Sequence, residues 1–213
     1  MSLEKLDILN VEQGSEEWLK AKLGVISASN IGSVLAKKGT VTREGYMMEL
    51  IAQVATGEMP ELSAKSLEWG KNNEAMSRSA YEMLTSCDVE EVGFIYGNDR
   101  RYGVSPDGII KGERKGIELK NPWNSKVHAE FLALDKIKPE YVYQVQFGMF
   151  VTGFEHWDFA SYDGRFRKNQ LKLLTLKRDL ALMDRFENEV GEFVLEMDVF
   201  LKRMDIVFGE QLG

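Results

Sequence analysis

The chain has 213 residues, 44% of them hydrophobic and 29% charged, the proportions of one globular domain, 1–213, with one substantial core. Its net charge of −7 makes an acidic enzyme the default and, taken alone, argues against nucleic acid, which is held by clustered Lys and Arg. No apolar run is long enough to cross a bilayer, the opening MSLEKLDILNVEQG lacks a signal-peptide core, and the single cysteine, Cys87, rules out an internal disulfide, so the expected compartment is a reducing cytoplasm with no membrane partner.

Charge is unevenly spread, however. Arg100-Arg101, the Lys111/Arg114/Lys115 turn and the segment from Arg165 to Arg178 are locally basic, so a basic groove in an acidic body is compatible with the total. In chain order, Ser15 caps a predicted helix over 16–23 that stops at Gly24, and ISAS introduces a second over 29–35. KKGTVTREG reads as a basic loop, followed by a helix over 46–55 that ends at Gly57. Past Pro60 a longer helix covers about 66–84 and carries Leu67 and Glu74. A strand is expected at 92–96 and two more within 105–120. Pro122 stops the last of these, and Ser125 is expected to cap a helix to residue 134. Pro139 begins another helix that ends near Gly153, strands follow at 156–162 and 171–177, and an amphipathic helix covers 179–204. The sum is one mixed α/β domain, a central sheet of about five strands with helices packed on it.

The chemistry concentrates in SPDGIIKGERKGIELK, residues 105–120. Alternate strand residues share a face, so Glu118 and Lys120 point one way while Ile117 and Leu119 point into the opposite layer. Pairing of the two strands would bring Asp107 beside Glu118. Asp107, Glu118 and the Leu119 carbonyl form an oxygen set suited to a hard cation such as Mg²⁺, and Lys120 would orient an attacking water. On spacing alone, an ordinary surface ion pair fits the same residues equally well.

Context narrows the choice. SPDG followed by GIELK resembles the PD-(D/E)xK nuclease signature. Together with VEQGSEEWLKAKLGVISAS, LEWGKNNE, YQVQFGMFVTG and FGEQ, in that order, it resembles the family of phage lambda exonuclease and the YqaJ-type viral recombinases over nearly the whole chain. The resemblance implies a restriction-endonuclease-like core and an enzyme that degrades linear double-stranded DNA from the 5′ end, releasing mononucleotides and leaving a 3′ single strand. It also implies two Mg²⁺ per site, replaceable by Mn²⁺, a ring-shaped homotrimer, and a phage single-strand annealing protein as partner in the host cytoplasm.

By motif match the resemblance assigns Asp107, Glu118, Lys120, Glu74 and Gln146 to catalysis, with Glu74 near the metals. Gln144 and Gln146 point about 200° apart on a helix, so both cannot face one site. The match selects Gln146 and leaves Gln144 to packing or the surface. Lys22, Ser29 and Ser105 fall on positions that bind the 5′ phosphate, and Leu67 on one that parts the strands. The family arginine is replaced at Lys22, which keeps the charge and loses the two-pronged geometry. Helix capping by Ser29 and turn formation by Ser105 are the plain alternatives. Lys126 and Trp123 follow the metal strand closely enough to touch DNA, though a core or lid place suits Trp123 as well.

His128 and His156 have no ligand-spaced partner, Cys87 has no neighbouring base, and no glycine-rich nucleotide loop is present. Two rivals share the motif, a monomeric or dimeric endonuclease and a non-catalytic DNA-end clamp. The intact Asp107/Glu118/Lys120 set weighs against the clamp.

Overall fold

The computed structural model describes residues 6–59 and 64–210, the side chains of 64–72 excepted, so the side chain of Leu67 lies outside the described residues. Among the described residues, nine strands and seven α-helices follow in chain order. They are β1 (Asp7–Leu9), α1 (Glu16–Ala21), β2 (Ile26–Ser27), α2 (Ile31–Val34), α3 (Val41–Thr56), α4 (Ala64–Thr85), β3 (Val89–Glu90) and β4 (Phe94–Tyr96). The second half holds β5 (Tyr102–Val104), β6 (Gly108–Ile110), β7 (Lys115–Lys120), α5 (Ser125–Leu134), α6 (Pro139–Thr152), β8 (His156–Tyr162), β9 (Leu171–Lys177) and α7 (Leu180–Arg203).

The expected mixed five-stranded sheet is present, in the order β3-β6-β7-β8-β9. β7 runs antiparallel to β6 and parallel to β8. A second sheet, β1-β4-β5-β2, was not expected, and it takes the predicted strand at 92–96 away from the central one. Its members are two or three residues long, too short for a period-2 pattern to show.

Alternation along β7 and β8 sorts the layers. Ile117 and Leu119 pack with Tyr81 of α4 and Ala160 in one small core. On the other face, Trp157 and Phe159 join the main core with α5, α6 and α7. Trp157 is fully buried between Gly116 and Gly148, where an added Cβ would come within 2.6 Å and 2.8 Å of its ring. These glycines let α6 lie close over the central strands, which carries its polar residues to the end of β7.

Local signals account for most helix ends. Ser15 Oγ accepts from the Trp18 N–H, Pro139 occupies the first turn of α6, and Gly57 and Gly153 close their helices in the left-handed conformation. Several boundaries differ from expectation, two of them through their caps. Thr40 caps α3 and draws part of the expected basic loop into the helix, and Asn124 rather than Ser125 caps α5. On α7, Phe186, Val190, Phe193, Met197 and Leu201 are buried as the spacing predicts, whereas Leu182, the first of the expected series, is only half-buried and Met183 takes the inward place.

Candidate active site

One residue beyond the Gly108–Ile117 pair, Asp107 stands opposite Glu118. Its Oδ2 accepts the Leu119 N–H at 2.5 Å, tying the carboxylate across the strand end. Glu118 is 2% exposed, and its Oε1 accepts both Lys120 Nζ at 2.5 Å and Gln144 Nε2 at 2.7 Å. Asp107 Oδ1 and Glu118 Oε2 have no protein donor among the described residues.

The electrostatics agree with that geometry. Burial, then the Glu118 charge, push the Asp107 carboxyl well above the ordinary carboxylate range. Lys120 is drawn down by burial, but Glu118 and Asp107 outweigh this and hold its ammonium above the usual lysine value. Two carboxylates share a site with one ammonium, and the negative excess favours a cation. No third His, Cys, Asp or Glu side chain completes a ligand group among the described residues. Two carboxylates and a main-chain carbonyl suffice for Mg²⁺, which keeps water and takes substrate oxygens as its remaining ligands. The donor set therefore fits, with Asp107, Glu118 and the Leu119 carbonyl as its members.

The choice between the two glutamines is corrected. Gln144 is the one that reaches Glu118. Gln146 is buried and turned the other way, donating to the Lys177 carbonyl at 2.8 Å and accepting the Asp179 N–H at 3.0 Å. It fastens α6 to the junction between β9 and α7. The rotation of α6 decides this, because Val145, Phe147 and Met149 pack inward beside Gln146 while Gln144 stays half-buried at the rim.

From the α4 side, Glu74 comes near enough for its charge to act on Asp107. The Arg78 guanidinium bonds Glu74 at 2.6 Å, and Asn121, next after Lys120, donates to Ser77 Oγ. Sequence patterns gave no sign of Arg78, an ordinary helix cation until α4 is docked.

α1 closes the site's third side. Trp18 Nε1 donates to Ser105 Oγ at 2.9 Å, and Gln13 Nε2 donates to the Pro106 carbonyl at 2.9 Å. Lys22 Nζ sits 3.7 Å from the Trp18 ring centroid, and burial pushes its ammonium down to about 8. Lys22 and Ser105 are thus joined through Trp18. Ser29 is exposed and its Oγ lies 3.2 Å from Ser27 Oγ; it caps no helix, since α2 is entered from Asn30 without a side-chain cap. Trp18 and Gln13 went unnoticed because their partners lie 87 and 93 residues away.

Beyond Lys120 the chain turns outward. Trp123 is 72% exposed, which removes the core alternative, and Arg165 holds its carbonyl at 2.9 Å. Lys126 pairs with Glu130 on the surface of α5. Lys136, Lys138 and Tyr141 line a small cleft against Lys120, and no local sequence pattern marks these two lysines as neighbours of the site. His128 is a satisfied core residue, bonded to Ser161 Oγ and the Asn169 carbonyl. A cavity of about 800 Å³ beside Tyr102 and Met183 contains none of the site's carboxylates.

Residues 17–155 match the YqaJ-like viral recombinase domain. The chain belongs to that family. Among solved structures, the alkaline exonuclease LHK-Exo from Laribacter hongkongensis is 35% identical and superposes with a TM-score of 0.82 over 90% of this chain and 96% of that one. The structure of LHK-Exo in complex with dAMP is 36% identical, with the same TM-score over 89% and 96% of the two chains. A phage related exonuclease from Haemophilus somnus 129PT, 13% identical at a TM-score of 0.69, shares the fold. ExoD, an uncharacterized protein of Escherichia coli (strain K12), is 39% identical over 77 residues, 36% of this chain and 88% of its own length. The YqaJ-like family and these neighbours bear out the PD-(D/E)xK fold expected from residues 105–120. No helix among the described residues is long and apolar enough to cross a membrane.

Proposed function

We propose that this YqaJ-family chain is a Mg²⁺-dependent 5′-to-3′ exonuclease on linear double-stranded DNA. It releases 5′-mononucleotides and leaves a 3′ single strand for annealing-based phage recombination. The observation that carries this reading is the meeting of Asp107, Glu118 and Lys120 at one strand end, with Asp107 Oδ1 and Glu118 Oε2 lacking protein donors among the described residues. The likeness to an alkaline exonuclease solved with dAMP supports a mononucleotide product.

Each residue then has a physical task. Asp107, Glu118 and the Leu119 carbonyl would hold the cations, which when bound would supply charge stabilisation for in-line displacement at the phosphate. Lys120, kept protonated by its two acidic neighbours, donates rather than accepts, so it orients the attacking water and steadies developing negative charge. Gln144 fixes the Glu118 oxygen that faces Lys120 and thereby aims the other outward. Lys22 and Ser105, joined through Trp18, receive the terminal 5′ phosphate, with Ser29 from the neighbouring turn. Leu67 parts the strands, while Trp123 and Lys126 meet the duplex beside the site. The working assembly is a ring-shaped homotrimer in the host cytoplasm, delivering its single strand to a phage annealing protein, and Mn²⁺ replaces Mg²⁺.

The test is digestion of linear duplexes, labelled at either end and with or without a 5′ phosphate, beside a closed circle. With Mg²⁺, mononucleotides should appear from 5′ ends, the closed circle should survive, and chelator should stop release. Nicking of the circle, or label released first from the 3′ end, would overturn the assignment.

A further inference from the structure

Arg78 lies on α4 one turn beyond Glu74, and the proposed reaction gives it no task. A Glu–Arg pair four residues apart is by itself a common helix-surface device. This one differs in three respects. Its guanidinium-bearing side chain is only 13% exposed. Nη2 donates to Glu74 Oε1 at 2.6 Å and lies 3.5 Å from the Asp107 carbonyl, while Nη1 pairs with Glu91 in the connection between β3 and β4. Finally, the carboxylate it holds is one whose charge Asp107 feels.

We infer that Arg78 is a positioning residue for cation binding: anchored outside by Glu91, it holds the Glu74 carboxylate against Asp107, so that Glu74 faces the cation carried by Asp107 and Glu118. The inference rests on the metal-dependent reading of the site. The geometry suits this task better than direct contact with DNA. Both ends of the guanidinium are engaged by carboxylates, and its approach to Asp107 is through the main chain, which leaves the Asp107 carboxylate available. A planar two-ended group can bridge Glu74 and Glu91 at once, whereas a lysine ammonium presents one compact charge to a single partner. Groups that orient metal ligands in this way typically change metal affinity by about 10–100-fold when removed.

The test is Mn²⁺ binding to the whole protein without DNA, followed by calorimetry or by the spin-resonance signal of free Mn²⁺. Arg78→Ala should weaken binding by about 10-fold or more, and Arg78→Lys should restore only part of the loss. Glu74→Gln combined with Arg78→Ala should be no weaker than Glu74→Gln alone, because Arg78 acts through Glu74. Multiplying losses, or an unchanged Mn²⁺ affinity in Arg78→Ala, would overturn the inference. At saturating Mg²⁺ the KM for duplex should be unchanged in Arg78→Ala, while at limiting Mg²⁺ its turnover falls. A raised KM with a flattened salt dependence would instead make Arg78 a phosphate contact. Should Arg78→Ala fail to fold, Glu91→Gln at the exposed outer anchor should still weaken Mn²⁺ binding about 2–5-fold, a partial loss on the scale of such outer contacts. An unchanged affinity in both Glu91→Gln and Arg78→Lys would equally sink the idea. A wild-type protein that neither binds Mn²⁺ nor cuts DNA would fail the metal-dependent reading itself, whereas active wild type with indifferent variants fails Arg78 alone.

Discussion

Two acidic centres lie back to back on the central strands and are finished differently. Asp158 of β8, opposite Ile117, faces α4 and is 1% exposed. Tyr81 Oη donates to its Oδ2 at 2.6 Å, Lys115 Nζ pairs with the same oxygen at 2.7 Å, and Thr175 Oγ1 donates to Oδ1 at 2.5 Å. Every oxygen has a donor, drawn from α4, β7 and β9. Glu118, one residue further along β7, faces the other way and shares one of its oxygens between Lys120 and Gln144. A buried carboxylate with all its donors holds a fold together. A buried pair short of donors is held against its own electrostatic preference, as the upward push on Asp107 shows, and is built to receive charge from elsewhere.

Substitutions should pull the two centres apart. The largest effect is expected for Asp107→Asn, which should cut nuclease turnover by about 10²–10⁴-fold while leaving the melting temperature unchanged or slightly raised, since a like-charge contact is relieved. Paired measurements of turnover and thermal unfolding check this, and a strongly destabilised but active protein would reverse the assignment. Asp158→Asn should do the opposite, costing about 3–5 kcal/mol of stability in denaturant titration with turnover per folded molecule nearly intact.

The two glutamines repeat the contrast on a smaller scale. Gln144→Ala is expected to lower turnover by about 10-fold or more at near-normal stability, as a group orienting the proposed cation ligand Glu118 should. Gln146→Ala leaves the Asp179 N–H and Lys177 carbonyl without their side-chain partner and should cost about 1–3 kcal/mol, with turnover retained. If the two effects came out exchanged, the placement of α6 would be wrong.

The smallest expected effect depends on pH. Burial lowers Lys22 to about 8, so the ammonium is present at pH 7 and is lost as pH rises through that value. Preference for 5′-phosphorylated over 5′-hydroxyl ends should therefore shrink several-fold between about pH 7 and 9, on the scale of one screened charge contact. Lys22→Arg should make the preference flat across that range. A flat ratio in the wild type would remove Lys22 from end recognition.

Legibility followed the range of the interactions. Asp107, Glu118 and Lys120 could be read because strand alternation and a short turn bring them together within sixteen residues, 105–120. Gln144 was misassigned because helix geometry says that two glutamines diverge but not which of them looks inward. Gln146 sits among Val145, Phe147 and Met149, and that apolar company was the available sign of a buried clamp.

Local chemistry in the sequence was enough to determine the helices, several of their ends, the face of β7 that carries Glu118 and Lys120, and four of the five strands of the mixed central sheet. Folding in three dimensions alone decided the second sheet, the rotation of α6, and the grip of Trp18, Gln13 and Arg78 on the Ser105–Asp107 segment. The physical reason is separation along the chain. Capping and alternation act over a few residues, whereas these contacts join positions 29 to 93 apart and exist only once the core has set one element against another.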